Sequence, residues 1–140
     1  MKKPAVLPDT NYLLRYLLRD IEEQFTVANT FFESVRNGST VVIIAESVLV
    51  ECLYILTKYY QVTRADSAVH LAALLQYKGI VNRDKDILLR SLDLFAATRL
   101  DPVDCLLAAR AAVAGNPVQT FDKELNKMCV ASLSRQVSLS

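Results

Sequence analysis

The run "TVVIIA" at residues 40–45 constrains the fold most. Five of its six residues are β-branched, and apolar and polar positions do not alternate. A strand with one wet face alternates, whereas a strand of a parallel sheet covered on both faces reads as a continuous apolar run. The segments on either side have helical periodicity. Residues 5–8 form a short apolar stretch ending at Pro8, followed by a helix over 11–18 with Tyr12, Leu13, Tyr16 and Leu17 on one side. A second helix spans 21–36, with Phe25, Ala28, Phe32 and Val35 on one face and Asn37-Gly38 as its stop.

Beyond the run the pattern repeats. Helices are expected over 47–60, 65–78 (ended by Gly79) and 84–98, with a short "IVN" strand at 80–82. The stretch "LDPVDCLLAARAAVAGNP" carries its own punctuation: Asp101 as N-cap, Pro102 at the first helical position, Gly115 at the end and Pro117 beyond it. A "VQT" strand, a short helix opened by Asp122 and a "VASL" edge strand complete the chain. Strands separated by helices predict an α/β three-layer sandwich, a mostly parallel, short-stranded sheet flanked by helices, in one domain over residues 1–140.

Composition narrows the chemistry. The net charge of +1 supplies no global basic field, so any nucleic-acid contact must come from a local patch. No apolar run approaches the roughly 20 residues that span a bilayer. The start, "MKKPAVLPD", meets an Asp too early to hold a signal-peptide core, which predicts a cytoplasmic chain. Cys52, Cys105 and Cys129 are odd in number and widely spaced, as expected of reduced thiols in the core or near the surface. His70 is the single histidine, which removes zinc sites built from several imidazoles; it reads as a partly buried helical residue.

Four carboxylates occupy positions that a purely structural account leaves open. Asp9 and Asp122 fall where a strand gives way to a helix, and ligands of open α/β sheets bind outside the carboxyl ends of the strands. Each is also a good helix N-cap. Asp104 stands three residues after Asp101, where an acid favours the helix dipole or completes a capping box. Glu51 lies roughly 60° from the middle of the stripe formed by Val48, Cys52, Ile55 and Tyr59, a position equally suited to a solvent-facing Glu. Brought together, the four would repel: two unit charges 4 Å apart cost roughly 4 kcal/mol at an effective dielectric of 20. Such a cluster needs protons or a cation, and an all-oxygen donor set suits a hard divalent ion, Mg²⁺ or Mn²⁺.

The segments "LPDTNYLLRYLLRD", "AESVLVECLYIL", "DPVDCLLAARA" and "VQTFDKEL" resemble, in order and spacing, the PIN-domain ribonucleases, in particular the VapC-type toxins of toxin-antitoxin modules. The likeness runs along nearly the whole chain. By that resemblance Asp9, Glu51, Asp104 and Asp122 fill the family's catalytic, metal-binding quartet, with Asn11 and Thr120 in support. It implies Mg²⁺- or Mn²⁺-dependent hydrolysis of RNA phosphodiester bonds, a homodimer, and a cognate antitoxin protein that enters the active-site groove. Pro8 departs from the usual apolar strand residue, and Pro102 and Cys105 replace the common Phe and Ala of the third motif.

Arg15, Arg19, Lys58, Arg64, Lys123 and Lys127 are candidates for contacts to the RNA backbone; each also reads as an ordinary surface cation. Apolar residues of the 11–18, 48–59 and 65–75 segments exceed what a small core requires, which predicts a two-fold self-association face. Two rivals compete with the nuclease. A PIN-like domain that binds RNA or protein without cutting has no need of all four acids. A small phosphatase using Asp9 lacks the second Asp of a D-x-D nucleophile loop, because position 11 is Asn.

Overall fold

The computed structural model describes residues 3–138, with side chains described to residue 130. Seven α-helices are present among them: α1 (Thr10–Leu18), α2 (Glu22–Arg36), α3 (Glu46–Tyr54), α4 (Arg64–Leu75), α5 (Lys85–Ala97), α6 (Pro102–Ala114) and α7 (Lys123–Ser138). The helix expected over 47–60 divides, because α3 passes at Ile55–Tyr59 into a π turn. The chain gathers into two compact units, one ending at Lys85 and the other beginning at Asp86.

In the first unit, α1 starts where Asp9 Oδ1 accepts the Tyr12 N–H at 2.8 Å, and it ends at Arg19 in the left-handed region, φ 51°. Aromatic rings join α1 to α2: Tyr16 stacks on Phe32 with centroids 4.6 Å apart, and Tyr12 meets Phe31 edge-on at 5.5 Å. Ala28, Phe32 and Val35 are buried as the periodicity of α2 predicts. Burying a side chain the size of Phe32 contributes about 1.5–3 kcal/mol.

The expected sheet is not formed among the described residues: no strand is present there, and two isolated parallel bridges, Val6 to Val42 and Val42 to Ile80, stand in its place. Val6 N–H donates to Val41 O at 2.9 Å and Ile43 N–H returns to Val6 O at 3.1 Å; Val42 N–H donates to Gly79 O at 2.8 Å and Val81 N–H to Val42 O at 2.9 Å. Both bridges are parallel, as expected of the sheet, but neither extends into a strand. Pro8 has no N–H to extend the first pairing. On the other side a side chain replaces the next backbone rung: Asn82 Oδ1 accepts the Ile44 N–H at 2.9 Å while its Nδ2 donates to Ile44 O at 2.8 Å. Gly79 is required by close approach, since a Cβ there would lie 2.7 Å from Val35 O and closer still to Thr40 O.

The second unit is helical among its described residues. Pro102 opens α6 after Asp101, and Gly115 ends it at φ 72°, as the punctuation predicts, although the Asp101 side chain makes no capping bond. The "VQT" strand is not formed: the segment follows Pro117, and Thr120 Oγ1 accepts the Asp122 N–H at 3.0 Å. The "VASL" edge strand is not formed either, because those residues continue α7. No Gly or Pro follows Lys123 to stop that helix, and Leu125 and Cys129, one turn apart, are both buried. All three cysteines are free and buried, as expected. His70 is on α4 as expected but is exposed rather than partly buried. No helix of the described residues is long and apolar enough to cross a membrane.

Candidate active site

Asp9 combines a structural duty with chemical availability. One carboxylate oxygen caps α1, yet the residue is exposed and lines two cavities of the first unit. One, of about 410 Å³, is walled by Val6, Leu7, Pro8, Tyr12 and Phe31; the other, of about 330 Å³, lies between α1 and α2 and includes Asn11, Arg15, Glu23 and Gln24. The bridge at Val6 brings the chain to this point, and the cap turns it into α1. Asn11 follows in the first turn of α1, exposed. Glu51 is exposed on α3, in keeping with the solvent-facing alternative, and its charge is felt by the neighbouring Cys52 thiol. Burial first, and that charge second, push Cys52 up to about 12.

In the second unit Asp104 lies within the field of two other acids. Asp104, in the first turn of α6, holds its proton more tightly than an ordinary carboxyl, through partial burial first and then through the charges of Asp101 and Asp122. Asp122 is exposed and oriented twice: its Oδ1 accepts the Leu125 N–H at 2.7 Å and its own N–H donates to Thr120 Oγ1 at 3.0 Å. Thr120 is thus in contact with the Asp122 backbone. The packing of α6 with α7 also brings Cys129 within the field of Asp104, which together with burial raises the thiol pKa.

Asp101 is the residue that sequence reasoning undervalued. Read as a cap, it makes no capping bond and adds its charge to Asp104 instead. Its spacing of three from Asp104, which sets two side chains side by side on a helix end, was the available signal. The donor set of this acidic corner is oxygen only and its charges repel, which fits a hard divalent cation. Within neither unit do three or more described His, Cys, Asp or Glu side chains gather into a group able to hold a metal ion.

The six candidate cations differ in freedom. Lys58, Lys123 and Lys127 are exposed. Arg19 is engaged, with Nη2 donating to Glu22 Oε1 at 3.1 Å and its guanidinium 4.5 Å from the centre of the Phe25 ring. Arg64 is half-buried at the first position of α4. Arg15 is largely buried and bound to Asp20 at 2.6 Å.

Comparison with curated proteins and with solved structures returns no match. The family model described as PIN domain matches residues 6–131. That match begins at the first bridging residue, passes through both compact units and ends within α7, and on this ground the chain belongs to the PIN domain family.

Proposed function

We propose that this chain is a divalent-metal-dependent endoribonuclease, the toxin of a toxin-antitoxin pair, whose site is built from Asp9, Glu51, Asp104 and Asp122. PIN domains are generally nucleases, commonly metal-dependent, and the observation that carries the reading here is the acidic corner around Asp104. The charges of Asp101 and Asp122 reach Asp104 and, after its partial burial, raise its proton affinity, a repulsion that a cation would relieve.

Asp9, Glu51, Asp104 and Asp122 would supply the oxygen donors. Bound there, Mg²⁺ or Mn²⁺ would supply Lewis-acid chemistry for phosphodiester hydrolysis. The residues supply orientation. The Tyr12 N–H fixes one oxygen of Asp9 and leaves the other available, and the Leu125 N–H does the same for Asp122. Thr120 holds the Asp122 backbone, and Asn11 offers an exposed amide beside Asp9. Lys58, Lys123 and Lys127, with Arg15, Arg19 and Arg64, are the cations to meet the RNA backbone. A second copy of the chain and a cognate antitoxin are the expected protein partners, in the cytoplasm.

The alternative is a catalytically inert PIN-like domain that binds RNA or protein. One observation favours it: among the described residues, neither unit gathers three metal-ligating side chains into a group able to hold an ion. Incubating total RNA with the protein in Mg²⁺, in Mn²⁺ and in EDTA separates the two. Cleavage that EDTA abolishes, leaving 5′-phosphate and 3′-hydroxyl ends, supports the nuclease; binding without cleavage in either metal defeats it.

A further inference from the structure

Arg15 is held unlike the other candidate cations. Its side chain keeps 13% of its exposure, and its Nη1 donates to Asp20 Oδ2 at 2.6 Å. The Tyr60 hydroxyl donates to the same carboxylate oxygen at 3.2 Å. Asp20 comes from the turn after α1, and Tyr60 directly follows the π turn. Two segments 40 residues apart thus converge on the atom that fixes one edge of the guanidinium.

The π turn makes this convergence possible. Tyr60 N–H reaches back to Ile55 O at 3.1 Å, five residues away, so the turn takes in one residue more than an α-helix would. The insertion rotates everything beyond it by roughly 100°. With α3 continued as a regular helix, Tyr60 would face a different direction and leave Asp20. Gln61, at φ 56°, then turns the chain away.

Arg15 also borders the 330 Å³ cavity that Asp9 and Asn11 line. A guanidinium has five N–H donors, and Asp20 accepts from Nη1, only part of that fork. Among the described residues the one buried side-chain polar atom without a partner is Ser67 Oγ, so no Arg15 donor is both buried and unpaired. Asp20 is 31% exposed: water screens its charge from an incoming anion, while its hydrogen bond still fixes the plane of the guanidinium. A pre-set planar fork matches the paired oxygens of a phosphate.

We propose that Asp20 and Tyr60 are positioning residues that hold the Arg15 fork at the Asp9-lined cavity, where it binds an RNA backbone phosphate adjoining the one that is cleaved. The proposal rests on the nuclease reading for its substrate. It assigns the π turn a purpose, namely to deliver Tyr60 to Asp20.

The test measures binding of a fluorescent single-stranded RNA in Ca²⁺ at several salt concentrations, and steady-state cleavage in Mn²⁺, for wild type, Arg15→Ala, Arg15→Lys, Asp20→Asn and Tyr60→Phe, each checked for folding by its melting curve. Arg15→Ala is expected to weaken binding about tenfold and to reduce the salt slope by about one. Tyr60→Phe and Asp20→Asn are expected to raise KM by about threefold to tenfold, with kcat within about twofold of wild type. Arg15→Lys keeps the charge and loses the fork, and is expected to recover less than half of the lost binding. A folded Tyr60→Phe variant with wild-type KM and salt slope overturns the proposal, as does full binding by Arg15→Lys. If wild type binds RNA but does not cut it, the nuclease reading fails, while the binding series still supports or overturns the role of Arg15; if wild type does neither, both fall.

Discussion

Asp9 in the first unit and Asp122 in the second do the same local work. Each directs one carboxylate oxygen to a backbone N–H three residues on, at 2.8 Å from Tyr12 and at 2.7 Å from Leu125. Their surroundings differ. Asp9 opens onto two cavities, one of them shared with a guanidinium, whereas Asp122 stands near Asp104 and, with Asp101, raises that residue's proton affinity. A cap fixes how a carboxylate points, and neighbouring charge decides what it then attracts. Asp9 has an arginine and open space beside it, which suits a phosphate; the Asp104 corner has an excess of negative charge, which suits a cation.

The comparison is broken most decisively by removing charge and leaving shape. Asp9→Asn and Asp104→Asn are each expected to lower RNA cleavage by about 100-fold or more, beyond the 10–100-fold that follows loss of an outer partner of a metal site. Both variants should fold. A gel assay on the RNA that wild type cuts measures the loss; a folded Asp104→Asn enzyme with undiminished cleavage removes that residue from the site.

A second change attacks the one region where the first unit has sheet pairing and the described part of the second has none. Gly79→Ala forces a Cβ against the Val35 and Thr40 carbonyls, so destabilisation of about 2–4 kcal/mol is expected. Urea unfolding gives the energy. Amide exchange should show protection lost first at Val6, Val42 and Val81, with α6 retaining its own.

Smaller effects sharpen the likeness between the two caps. Asp9→Ala and Asp122→Ala should each cost about 1 kcal/mol, and the Asn variants only a few tenths, since Asn caps as well as Asp. Urea midpoints of the four variants decide this. Equal losses for Ala and Asn would mean that charge, and not the hydrogen bond, holds the helix starts.

The smallest effect is a pH dependence. With Asp104 holding its proton more tightly in the folded state than the ordinary carboxyl value of 3.8, the folded chain binds more protons than the unfolded one just above that value. Stability therefore falls as pH rises through that window, and at neutral pH the penalty is complete. Asp104→Asn should raise the metal-free melting temperature at pH 7 by on the order of 1–3 °C, a gain that disappears below the ordinary carboxyl value. Mn²⁺ should stabilise wild type more than this variant. Melting curves at pH 3 and 7 check the sign.

Read along the chain, residue pattern alone determined the helices and their ends wherever punctuation is local. Asp9 and Tyr12, Asn37-Gly38, and Pro102 with Gly115 act within a turn of one another, so no distant partner is needed to read them. The pattern also singled out Asp104, Asp122 and Thr120; in the fold the charge of Asp122 reaches Asp104, and the Asp122 N–H donates to Thr120. Tertiary structure alone decided how far the strands run. A ladder needs a partner at every rung, and here Pro8 withholds a donor while the Asn82 side chain takes the place of the next backbone rung at Ile44. It also decided that "VASL" continues a helix, because Leu125 and Cys129 find burial one turn apart and nothing after Cys129 stops the winding. The Arg15, Asp20 and Tyr60 cluster belongs to the same class: the hydrogen bond from Tyr60 to Asp20 spans 40 residues and depends on the extra residue of a π turn, which no periodicity in the sequence announces.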